Sequence, residues 1–476
     1  MTMAEQVAKP HIALLPSPGI GHLVPLLEFA KHLVVHHNVH VSFLIMSSGE
    51  VSAIQDQLLD SSTLPPDLHV IHLPQVNISP SLNDDTSLIT QLSRVCQESL
   101  KHLREILVEL NLPKALIVDM FSTDAILICK ELGVPVYSFF TSNTKGLAWV
   151  FYLARFMKEF RFAGLPNLIH VPGCESVGID ELPENILDVG DDVMRHFKRL
   201  SMVSGIFVNT WEDLESKSSW QNGIKNDPFY KTLPAPPIYP VGPVIKRDEA
   251  VAKSDDYIVS WLDNQSPNSV LLVSLGSGGT LTSEQMSELA LGLEMSKQKF
   301  MWVVRKPNDF TSSGTFFNAG RGDDDPLSYL PEGFVERTAG AGLVVPTWAP
   351  QVAILRHEAT GGFLSHCGWN STLESLVHGV PMIAWPLYAE QKMNAASLIK
   401  EIEIAVKPLA VATEAGGKSS VVKREEVERV VRLLMESEEG KLMRVKANEL
   451  KETAAKAFKP GGSSYELVSS IVKSWN

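Results

Sequence analysis

The chain has 476 residues, of which 44% are hydrophobic and 20% are charged, and its net charge is −13 with a pI near 5.6. Such values are ordinary for a globular protein of two or three domains and argue against intrinsic disorder or a coiled coil as the main organisation. An acidic chain also lacks the basic surface that nucleic-acid binding requires. The four cysteines have no CxxC spacing, which indicates neither a disulfide framework nor a zinc site.

Signals for a membrane or a secretory route are missing from the sequence. The first residues are polar, and no apolar run approaches the roughly 20 residues that span a bilayer. The last residues contain neither an anchor nor a retention signal. We therefore expect a cytosolic protein that acts as a monomer and binds neither membrane nor nucleic acid.

Short apolar runs alternate with longer amphipathic stretches along the first half of the chain. The apolar runs predict strands at His11–Leu15, Val41–Met46, Val70–Leu73, Ala115–Val118, Val136–Phe140, Gly205–Asn209 and Ile238–Val241. The amphipathic stretches predict helices at Leu23–Val35 and Leu88–Leu110. This alternation is typical of a parallel sheet with helices on both faces.

A proline-rich and then charged segment, residues 234–256, interrupts the alternation as an interdomain linker does. Beyond it, strands are predicted at Val270–Ser274, Phe300–Arg305, Val344–Pro346, Gly362–Ser365, Val380–Ala384 and Ile402–Lys407, and helices at Ser283–Met295 and Ser463–Ser474. The polar stretch 306–326 is predicted to be a long surface loop. The expected fold class is α/β, with two doubly wound parallel-sheet domains at 1–245 and 257–460, a linker at 246–256 and a C-terminal helix within 461–476 that packs on the N-terminal domain.

The strongest functional motif spans residues 348–391. Within it, a strand at 361–365 leads through His366-Cys-Gly-Trp-Asn370 into a helix that is predicted to begin at residue 370 or 371 and to end at His378, with Gly379 as its C-cap. A corner of this kind presents main-chain N–H groups and the positive end of the helix dipole at the ligand-binding edge of a sheet. The motif therefore indicates a phosphate site.

Two features of this motif admit structural interpretations as well. Ser371-Thr-Leu-Glu374 matches a capping box, so Ser371 and Glu374 could simply begin a helix. Trp348, Trp369 and Trp385 fall within 38 residues of one another. Single tryptophans mostly belong to a core, but this cluster beside a phosphate corner favours a platform for a base or a sugar.

Over its full 44 residues the motif resembles the signature box of plant secondary-product glycosyltransferases, a family of UDP-sugar-dependent enzymes with the GT-B fold. Segments similar to that family also occur at Pro16–His22, Val118–Asp119, Tyr239–Pro243 and Ser274–Thr280, so the resemblance covers essentially the whole chain. It is closest to hydroquinone and monolignol glucosyltransferases, whose Ser-Gly-Gly-Thr and Leu-Tyr-Ala-Glu-Gln-Lys-Met-Asn stretches recur at 277–280 and 387–394. Leu275 stands where the family more often has an aromatic residue, a change expected to affect packing only.

The resemblance implies two Rossmann-like domains facing a cleft and an inverting transfer of glucose from UDP-glucose, a co-substrate, with neither cofactor nor metal. It implies that Trp348 stacks on uracil with Gln351 beside it, and that Glu374 binds the ribose hydroxyls. The residues implied for the diphosphate are His366, Asn370, Ser371 and Ser277. The residues implied for the sugar are Trp369, Glu390 and Gln391, and Thr141 could also touch it. A terminal glutamine in the box favours glucose over galactose.

A base for the acceptor hydroxyl is needed for transfer to a phenol. His22 follows a strand and a Pro-Ser-Pro-Gly turn at the ligand edge, and histidine has the near-neutral pKa of a base. Asp119 ends another parallel strand, where a carboxylate can fix the tautomer of His22 and stabilise its imidazolium. A single histidine after a strand is more often structural, and it is the resemblance that implies the pairing of base and partner.

The acceptor site is expected in the N-terminal domain, around Phe121, Phe139 and residues 167–192, with Tyr388 as a further contact. The apolar and aromatic residues there suggest a flat phenolic acceptor of the hydroquinone, phenylpropanoid, stilbene or flavonoid type. Two other functions remain as alternatives. One is a non-catalytic UDP-sugar-binding protein. The other, a dinucleotide oxidoreductase, is disfavoured because Val24 stands where its glycine fingerprint needs a third glycine.

Two clusters of possible metal ligands are interpreted as surface. Asp323-Asp-Asp325 satisfies an Asp-x-Asp motif but lies in the polar loop without a preceding strand. Four histidines, His32, His36, His37 and His40, lie close together in the sequence, yet no cysteine or carboxylate joins them at a ligand spacing. We predict that these histidines are surface and edge residues.

Overall fold

The computed structural model describes residues 9–47, 49, 53–78, 88–156, 168–172, 174, 176–178, 181–182, 191–215, 224, 227–232, 236–247, 253–311, 325–412 and 420–475. The chain forms two compact units. The first comprises residues 1–176, 186–244 and 456–476, and the second comprises residues 177–185 and 245–455. Asp323, Asp324 and parts of the predicted linker and of the region 167–192 lie outside the described residues.

Strands and helices alternate along most of the chain. The strands are β1 (His11–Leu15), β2 (His40–Ile45), β3 (Leu68–His72), β4 (Leu116–Asp119), β5 (Val136–Phe140), β6 (Leu168–Ile169), β7 (Val177–Gly178), β8 (Gly205–Val208), β9 (Ile238–Pro240), β10 (Val270–Ser274), β11 (Lys299–Val304), β12 (Gly342–Pro346), β13 (Thr360–Ser365), β14 (Met382–Ala384), β15 (Ala405–Val406), β16 (Val411–Ala412) and β17 (Ser420–Val421). The helices are α1 (Ile20–His37), α2 (Ala53–Leu58), α3 (Leu88–Ser99), α4 (Leu103–Glu109), α5 (Ala125–Leu132), α6 (Thr144–Phe156), α7 (Asp191–Arg199), α8 (Glu212–Glu215), α9 (Pro228–Lys231), α10 (Asp256–Asp263), α11 (Ser283–Ser296), α12 (Phe334–Thr338), α13 (Gln351–Arg356), α14 (Trp369–His378), α15 (Gln391–Lys400), α16 (Arg424–Glu436), α17 (Glu438–Ala457) and α18 (Ser463–Lys473).

The first unit contains a seven-stranded parallel sheet with the order β3-β2-β1-β4-β5-β8-β9. Leu15 at the end of β1 pairs with Val118, and Asp119 at the end of β4 pairs with Phe139. The carboxyl ends of β1, β4 and β5 are therefore neighbours. In open parallel sheets, this is the edge at which ligands bind.

The core of the first unit lies between α1 and the sheet. Phe29 of α1 packs against Phe139 and Phe207, with ring centroids 5.2 and 5.4 Å apart. The end of the chain completes this core through the buried side chains of Val468, Ile471, Val472 and Trp475. Helix α18 and the two residues after it are thus part of the first unit, although the rest of that unit ends more than 200 residues earlier in the sequence.

The second unit contains a six-stranded parallel sheet with the order β12-β11-β10-β13-β14-β15. Ser365 at the end of β13 pairs with Ser274 of β10 on one side and with Ala384 of β14 on the other. Helices α11 and α16 pack together over the hydrophobic core. The prediction of two doubly wound α/β halves is thereby confirmed.

Two predictions about helices and histidines need correction. The predicted helix Leu88–Leu110 is divided into α3 and α4 by a single 3₁₀ turn, and periodicity missed the division because the buried stripe continues through it. His32 is not a surface residue: it is buried, with its ring 4.2 Å from that of Phe458. Among the described helices, none is long and apolar enough to cross a bilayer.

Candidate active site

His22 and Asp119 meet at the carboxyl edge of the first sheet. The turn that leads from β1 into α1 contains Gly19, whose φ is 102°. Glycine adopts this conformation readily because it has no Cβ atom. His22 Nδ1 then lies 2.9 Å from Asp119 Oδ2. Asp119 is fully buried, whereas 15% of the His22 side chain is exposed. A carboxylate that accepts the Nδ1 proton leaves the Nε2 nitrogen of the imidazole as the proton acceptor.

The carboxylate of Asp119 is held on both of its oxygens. Oδ1 accepts a hydrogen bond from the Phe121 N–H at 3.1 Å, while Oδ2 contacts the imidazole. Thr141, directly after β5, has its hydroxyl 3.3 Å from His22 Nδ1. The structure therefore brings together three of the predicted site residues, one from each of three neighbouring strand ends.

The two phenylalanines predicted to contact the acceptor differ in position. The Phe121 ring meets the His22 ring edge-on, with centroids 5.5 Å apart. Phe139 has no exposed surface and packs against Phe29 in the core. Because successive side chains of a strand point to opposite faces, Phe139 lies on the core side of β5, and it does not enter the acceptor site proposed below.

His196 is a residue of this region that sequence reasoning missed. It is fully buried in α7, with Nδ1 2.7 Å from the Thr123 hydroxyl and Nε2 3.2 Å from the Ser93 hydroxyl. Phe121 lies against it, with ring centroids 6.1 Å apart. His196 thus connects α3 and α7 to the turn after β4, which includes Phe121 and Thr123. No motif marks it, because its partners come from distant parts of the chain.

In the second unit, His366 is enclosed between two glycines at the β13–α14 corner. A Cβ atom on Gly276, whose φ is 73°, would lie 2.3 Å from the His366 ring, and one on Gly368 would lie 2.4 Å from its Nε2. Any side chain at residue 276 or 368 would therefore overlap the His366 ring, so both residues must be glycine for the ring to lie here. Cys367, with φ of 62°, makes the corner, and its N–H donates to the Ser365 hydroxyl.

His366 has the properties of a neutral hydrogen-bonding group. Burial, together with the positive charge of Arg305, lowers the pKa of His366 to about 3. Its buried Nδ1 has no hydrogen-bond partner among the described residues. A neutral imidazole carries one N–H, which can donate to an anionic oxygen without a change of protonation.

Helix α14 begins at Trp369, one or two residues earlier than predicted, and its end at His378 with Gly379 in the left-handed conformation is as predicted. Thr372 donates the first intrahelical hydrogen bond, to Gly368. Ser371 consequently lies inside the first turn, and the capping-box interpretation of Ser371 and Glu374 is wrong. The N–H groups of residues 369–371 precede that first bond, as anion sites at helix N-termini require.

Gln351 is the centre of a hydrogen-bond network in the second unit. Its Nε2 donates to the Ser371 hydroxyl at 2.9 Å and to Glu374 Oε2 at 2.6 Å. Its Oε1 accepts from the Ser274 hydroxyl at 3.0 Å. The network joins the end of β10, the start of α13 and the first turn of α14. It fixes the Glu374 carboxylate, which is almost fully buried.

The three tryptophans of the motif have different environments. Trp369 is only 3% exposed, and Trp385 belongs to the hydrophobic core. Trp348 is 36% exposed and lies just before α13. The interpretation of all three as a platform is therefore wrong for Trp369 and Trp385, and only Trp348 presents an indole face of useful size.

The loop from Leu387 to Gln391 is organised by the Gln391 carboxamide. Its buried Oε1 accepts the main-chain N–H groups of Leu387 at 2.8 Å and Tyr388 at 3.0 Å. Glu390 is partly exposed at the N-cap of α15. Burial and the neighbouring Glu390 carboxylate raise the pKa of Tyr388 to about 12. Ser277 is partly exposed in the turn after Gly276.

Acid is expected to destabilise the protein through its histidines. Burial lowers the pKa of His366 to about 3, and that of His37 and His378 to about 4, from an ordinary value of 6.5. Below pH 6.5 the unfolded chain therefore takes up protons that the folded chain does not. Their contribution is complete above pH 6.5 and is lost as the pH falls toward 4, by at most about 1.4 kcal/mol per histidine and pH unit.

Thermal unfolding at pH 7.5, 6.5 and 5.5 and constant ionic strength measures this effect. We expect the melting temperature to fall over this range, with a smaller fall for His378→Gln, which removes one of the three groups. A melting temperature that is the same at pH 7.5 and 5.5 would contradict the prediction. Carboxylates titrate mostly below this window.

Within the described ranges, no three His, Cys, Asp or Glu side chains are grouped as a metal site requires.

The comparisons with known proteins agree with one another. A family model described as "UDP-glucoronosyl and UDP-glucosyl transferase" matches residues 251–415. UDP-glycosyltransferase 72B1 of Arabidopsis thaliana is 42% identical over 485 residues, which cover 99% of this chain and 97% of that protein.

Two further comparisons extend over nearly the whole chain. Hydroquinone glucosyltransferase of Rauvolfia serpentina is 40% identical over 475 residues, which cover 98% of each protein. The solved structure of Phytolacca americana UGT2 complexed with UDP-2fluoro-glucose and pterostilbene has a TM-score of 0.84 and 38% identity, covering 98% of this chain and 99% of that chain.

Proposed function

Since the chain belongs to the UDP-glycosyltransferase family and has the GT-B fold of two Rossmann-like parallel-sheet domains, we propose that it transfers glucose from UDP-glucose to a hydroxyl of a small phenolic acceptor with inversion. The observation that carries the proposal is the 2.9 Å contact between His22 Nδ1 and the buried Asp119 carboxylate. The acceptor class is supported by two similar proteins, one named for hydroquinone and one solved with pterostilbene.

The proposed reaction needs no covalent bond to the protein. His22 Nε2 takes the proton of the acceptor hydroxyl while the acceptor oxygen bonds to the anomeric carbon of glucose. The bond from that carbon to the diphosphate breaks, and UDP leaves with the electron pair. Asp119 holds the Nδ1–H tautomer and stabilises the imidazolium that forms. Displacement from the face opposite to UDP inverts the anomeric centre.

The donor roles follow the chemistry of the second unit. We place uracil on Trp348, the ribose hydroxyls on the Glu374 carboxylate, and the diphosphate on the corner formed by His366, Asn370, Ser371 and Ser277. The neutral imidazole of His366 and the N–H groups at the start of α14 supply donors to the diphosphate. These donors stabilise the charge that develops on the leaving group.

The observed contacts and burial change two of the donor roles that the sequence predicts. The Gln351 side chain already bonds to Ser274, Ser371 and Glu374, so we propose that it positions these residues and that any contact with uracil comes from its main chain. The Trp369 indole is buried, which leaves its main chain for the sugar. In the second unit, Glu390 and Gln391 remain the proposed sugar contacts. Thr141, which lies beside His22 in the first unit, remains a predicted sugar contact.

Near His22, the Phe121 ring provides an apolar surface for a flat acceptor, and Tyr388 remains a predicted acceptor contact. The non-catalytic UDP-sugar-binding alternative is not favoured, because a binding protein has no use for the pair of His22 and Asp119. A cytosolic location and a monomeric state remain predictions.

The proposed function is tested by UDP release from UDP-glucose with single phenols. Hydroquinone, a phenylpropanoid, a stilbene and a flavonoid should each be compared with a reaction that lacks acceptor. We expect UDP release that depends on the acceptor and a β-glucoside product, identified by the coupling constant of its anomeric proton. An α-linked product would contradict inversion, and hydrolysis without acceptor selectivity would contradict transfer. UDP-galactose in place of UDP-glucose tests the sugar preference.

A further inference from the structure

Arg305 lies at the carboxyl end of β11 and belongs to none of the motifs recognised in the sequence. It is mostly buried, and its Nε donates a hydrogen bond to the Thr347 carbonyl at 3.3 Å. Burial lowers the pKa of Arg305 to about 10, so the guanidinium remains protonated at neutral pH. Because an arginine presents its donors in a rigid plane, a hydrogen bond from Nε restricts the position of the carbonyl that accepts it.

Thr347, the residue that accepts this hydrogen bond, has an unusual backbone conformation. Its φ is 61°, in the left-handed region that β-branched residues rarely adopt. Such a residue persists only where surrounding contacts hold it. Two main-chain bonds hold this turn, from Thr347 N to Val304 O at 2.8 Å and from Trp348 N to Pro346 O at 2.7 Å. The bond from Arg305 adds a side-chain contact to the same turn.

The next residue is Trp348, the exposed indole that we assign to uracil. Because the backbone at residue 347 sets the direction in which the Trp348 side chain leaves the chain, any relaxation of Thr347 toward a common conformation moves the indole. Stacking depends on the placement of the two ring planes. The binding of the base is therefore sensitive to the conformation of Thr347.

The positive charge of Arg305 lies close to two side chains of the protein. His366 and Tyr388 are its electrostatic neighbours. Since the guanidinium is mostly buried and donates to a main-chain carbonyl, its geometry favours an action through the turn over direct contact with a ligand.

We infer that Arg305 is a positioning residue for nucleotide recognition, which holds the turn at Thr347 and thereby the indole of Trp348 in the orientation that stacks on uracil. The inference rests on the proposed function, because it requires a UDP-sugar donor in the second unit. It adds a residue outside the signature motif to the determinants of base binding.

Calorimetric titration with UDP and with uridine tests the inference in the full chain. Arg305→Met is expected to raise the Kd of both ligands by the same factor, about five- to tenfold. The factor is the same because both ligands contain uracil, and the loss of stacking weakens only the contact with that base. The ratio of the two Kd values should therefore stay at its wild-type value. The KM for UDP-glucose should rise by a similar factor, while kcat at saturating donor stays within about twofold.

A double mutant distinguishes action through Trp348 from an independent effect. In a Trp348→Ala background, Arg305→Met should weaken UDP binding little further, since the platform that it positions is already absent. Arg305→Lys, which keeps the positive charge and a hydrogen-bond donor, should recover part of the affinity for UDP and for uridine. If Arg305→Met does not fold, the Kd values of Arg305→Lys for the two ligands test the positioning role instead.

Arg444→Met is the matched control. Arg444 also lies partly buried in the second unit and donates to a main-chain carbonyl, that of Gly361, at 2.8 and 3.3 Å. Gly361 lies at the amino end of β13, the opposite edge of the sheet from Trp348. Arg444→Met should lower the melting temperature and leave both Kd values unchanged.

Several results would overturn the inference. If UDP binding weakens and uridine binding does not, Arg305 acts on the diphosphate and not through Trp348. Unchanged binding of both ligands excludes a positioning role. An undiminished effect in the Trp348→Ala background shows that Arg305 acts independently of that residue. If the wild-type protein itself binds no UDP, it is the proposed function that fails.

Discussion

His22→Ala should lower kcat for glucoside formation by about 10²- to 10⁴-fold, the usual contribution of a general base. The Kd for UDP should not change, because the proposed contacts with uracil, ribose and diphosphate all lie in the second unit. Initial rates at saturating UDP-glucose and a single phenol, together with titration of UDP, measure both quantities. His102→Ala, which removes an exposed histidine of the same unit, serves as the control and should leave the rate unchanged.

Acceptors of different acidity distinguish a role of His22 as a base from a role in acceptor binding. An ordinary phenol has a pKa near 10, so at neutral pH it needs a base, whereas an acidic nitrophenol is already ionised. The loss caused by His22→Ala should therefore become smaller as the acceptor becomes more acidic. Asp119→Asn should follow the same trend, since an amide can hold the imidazole in the wrong tautomer. An equal loss for all acceptors would argue that His22 binds the acceptor and does not act as its base.

The second large effect is expected at Glu374. Hydrogen bonds to a charged group contribute about 1.5–3 kcal/mol, so Glu374→Gln should raise the KM for UDP-glucose by about 10- to 100-fold. In the native protein the Gln351 Nε2 group donates to the Glu374 carboxylate. In Glu374→Gln the new carboxamide can instead turn its own NH₂ group toward Gln351 Nε2, so that two donors face each other. Steady-state kinetics with varied UDP-glucose give the KM, and Glu358→Gln, an exposed glutamate of the same unit, is the control.

A donor analogue assigns this effect to the ribose. In the wild-type protein, UDP should bind more tightly than 2′,3′-dideoxy-UDP by a factor of the same size. Glu374→Gln should reduce this preference toward one, because the group that distinguishes the two ligands has been removed. If the variant keeps the wild-type preference, Glu374 does not bind the ribose hydroxyls.

The sheets could be predicted because their central strands are buried on both faces, and a strand of this kind has a short, continuous run of apolar residues in the sequence. Strands such as Val136–Phe140 and Val270–Ser274 have the bounds that their sequences predict. The start of α14 was less certain because Ser371 is as good a capping residue as it is a ligand, and only the bond from Thr372 to Gly368 decides between the two.

The residues that escaped prediction depend on partners far away in the chain. His196 belongs to the first site through Thr123 and Ser93, 73 and 103 residues distant. Arg305 is the last residue of a predicted strand, and no sequence motif includes it; its role depends on the contact with Thr347, 42 residues later in the chain. Conversely, Trp369 and Trp385 looked like ligand contacts because burial cannot be distinguished from stacking by residue type alone.

The position of α18 has a consequence for how the protein is made. Val468, Ile471, Val472 and Trp475 fill part of the core over α1, so the first unit lacks these side chains until the last residues have been synthesised. An emerging chain must carry that apolar gap through the translation of the entire second unit. A fragment that ends near residue 245 would keep the gap permanently. Chimeras that exchange the N-terminal half of this chain should therefore exchange residues 456–476 as well.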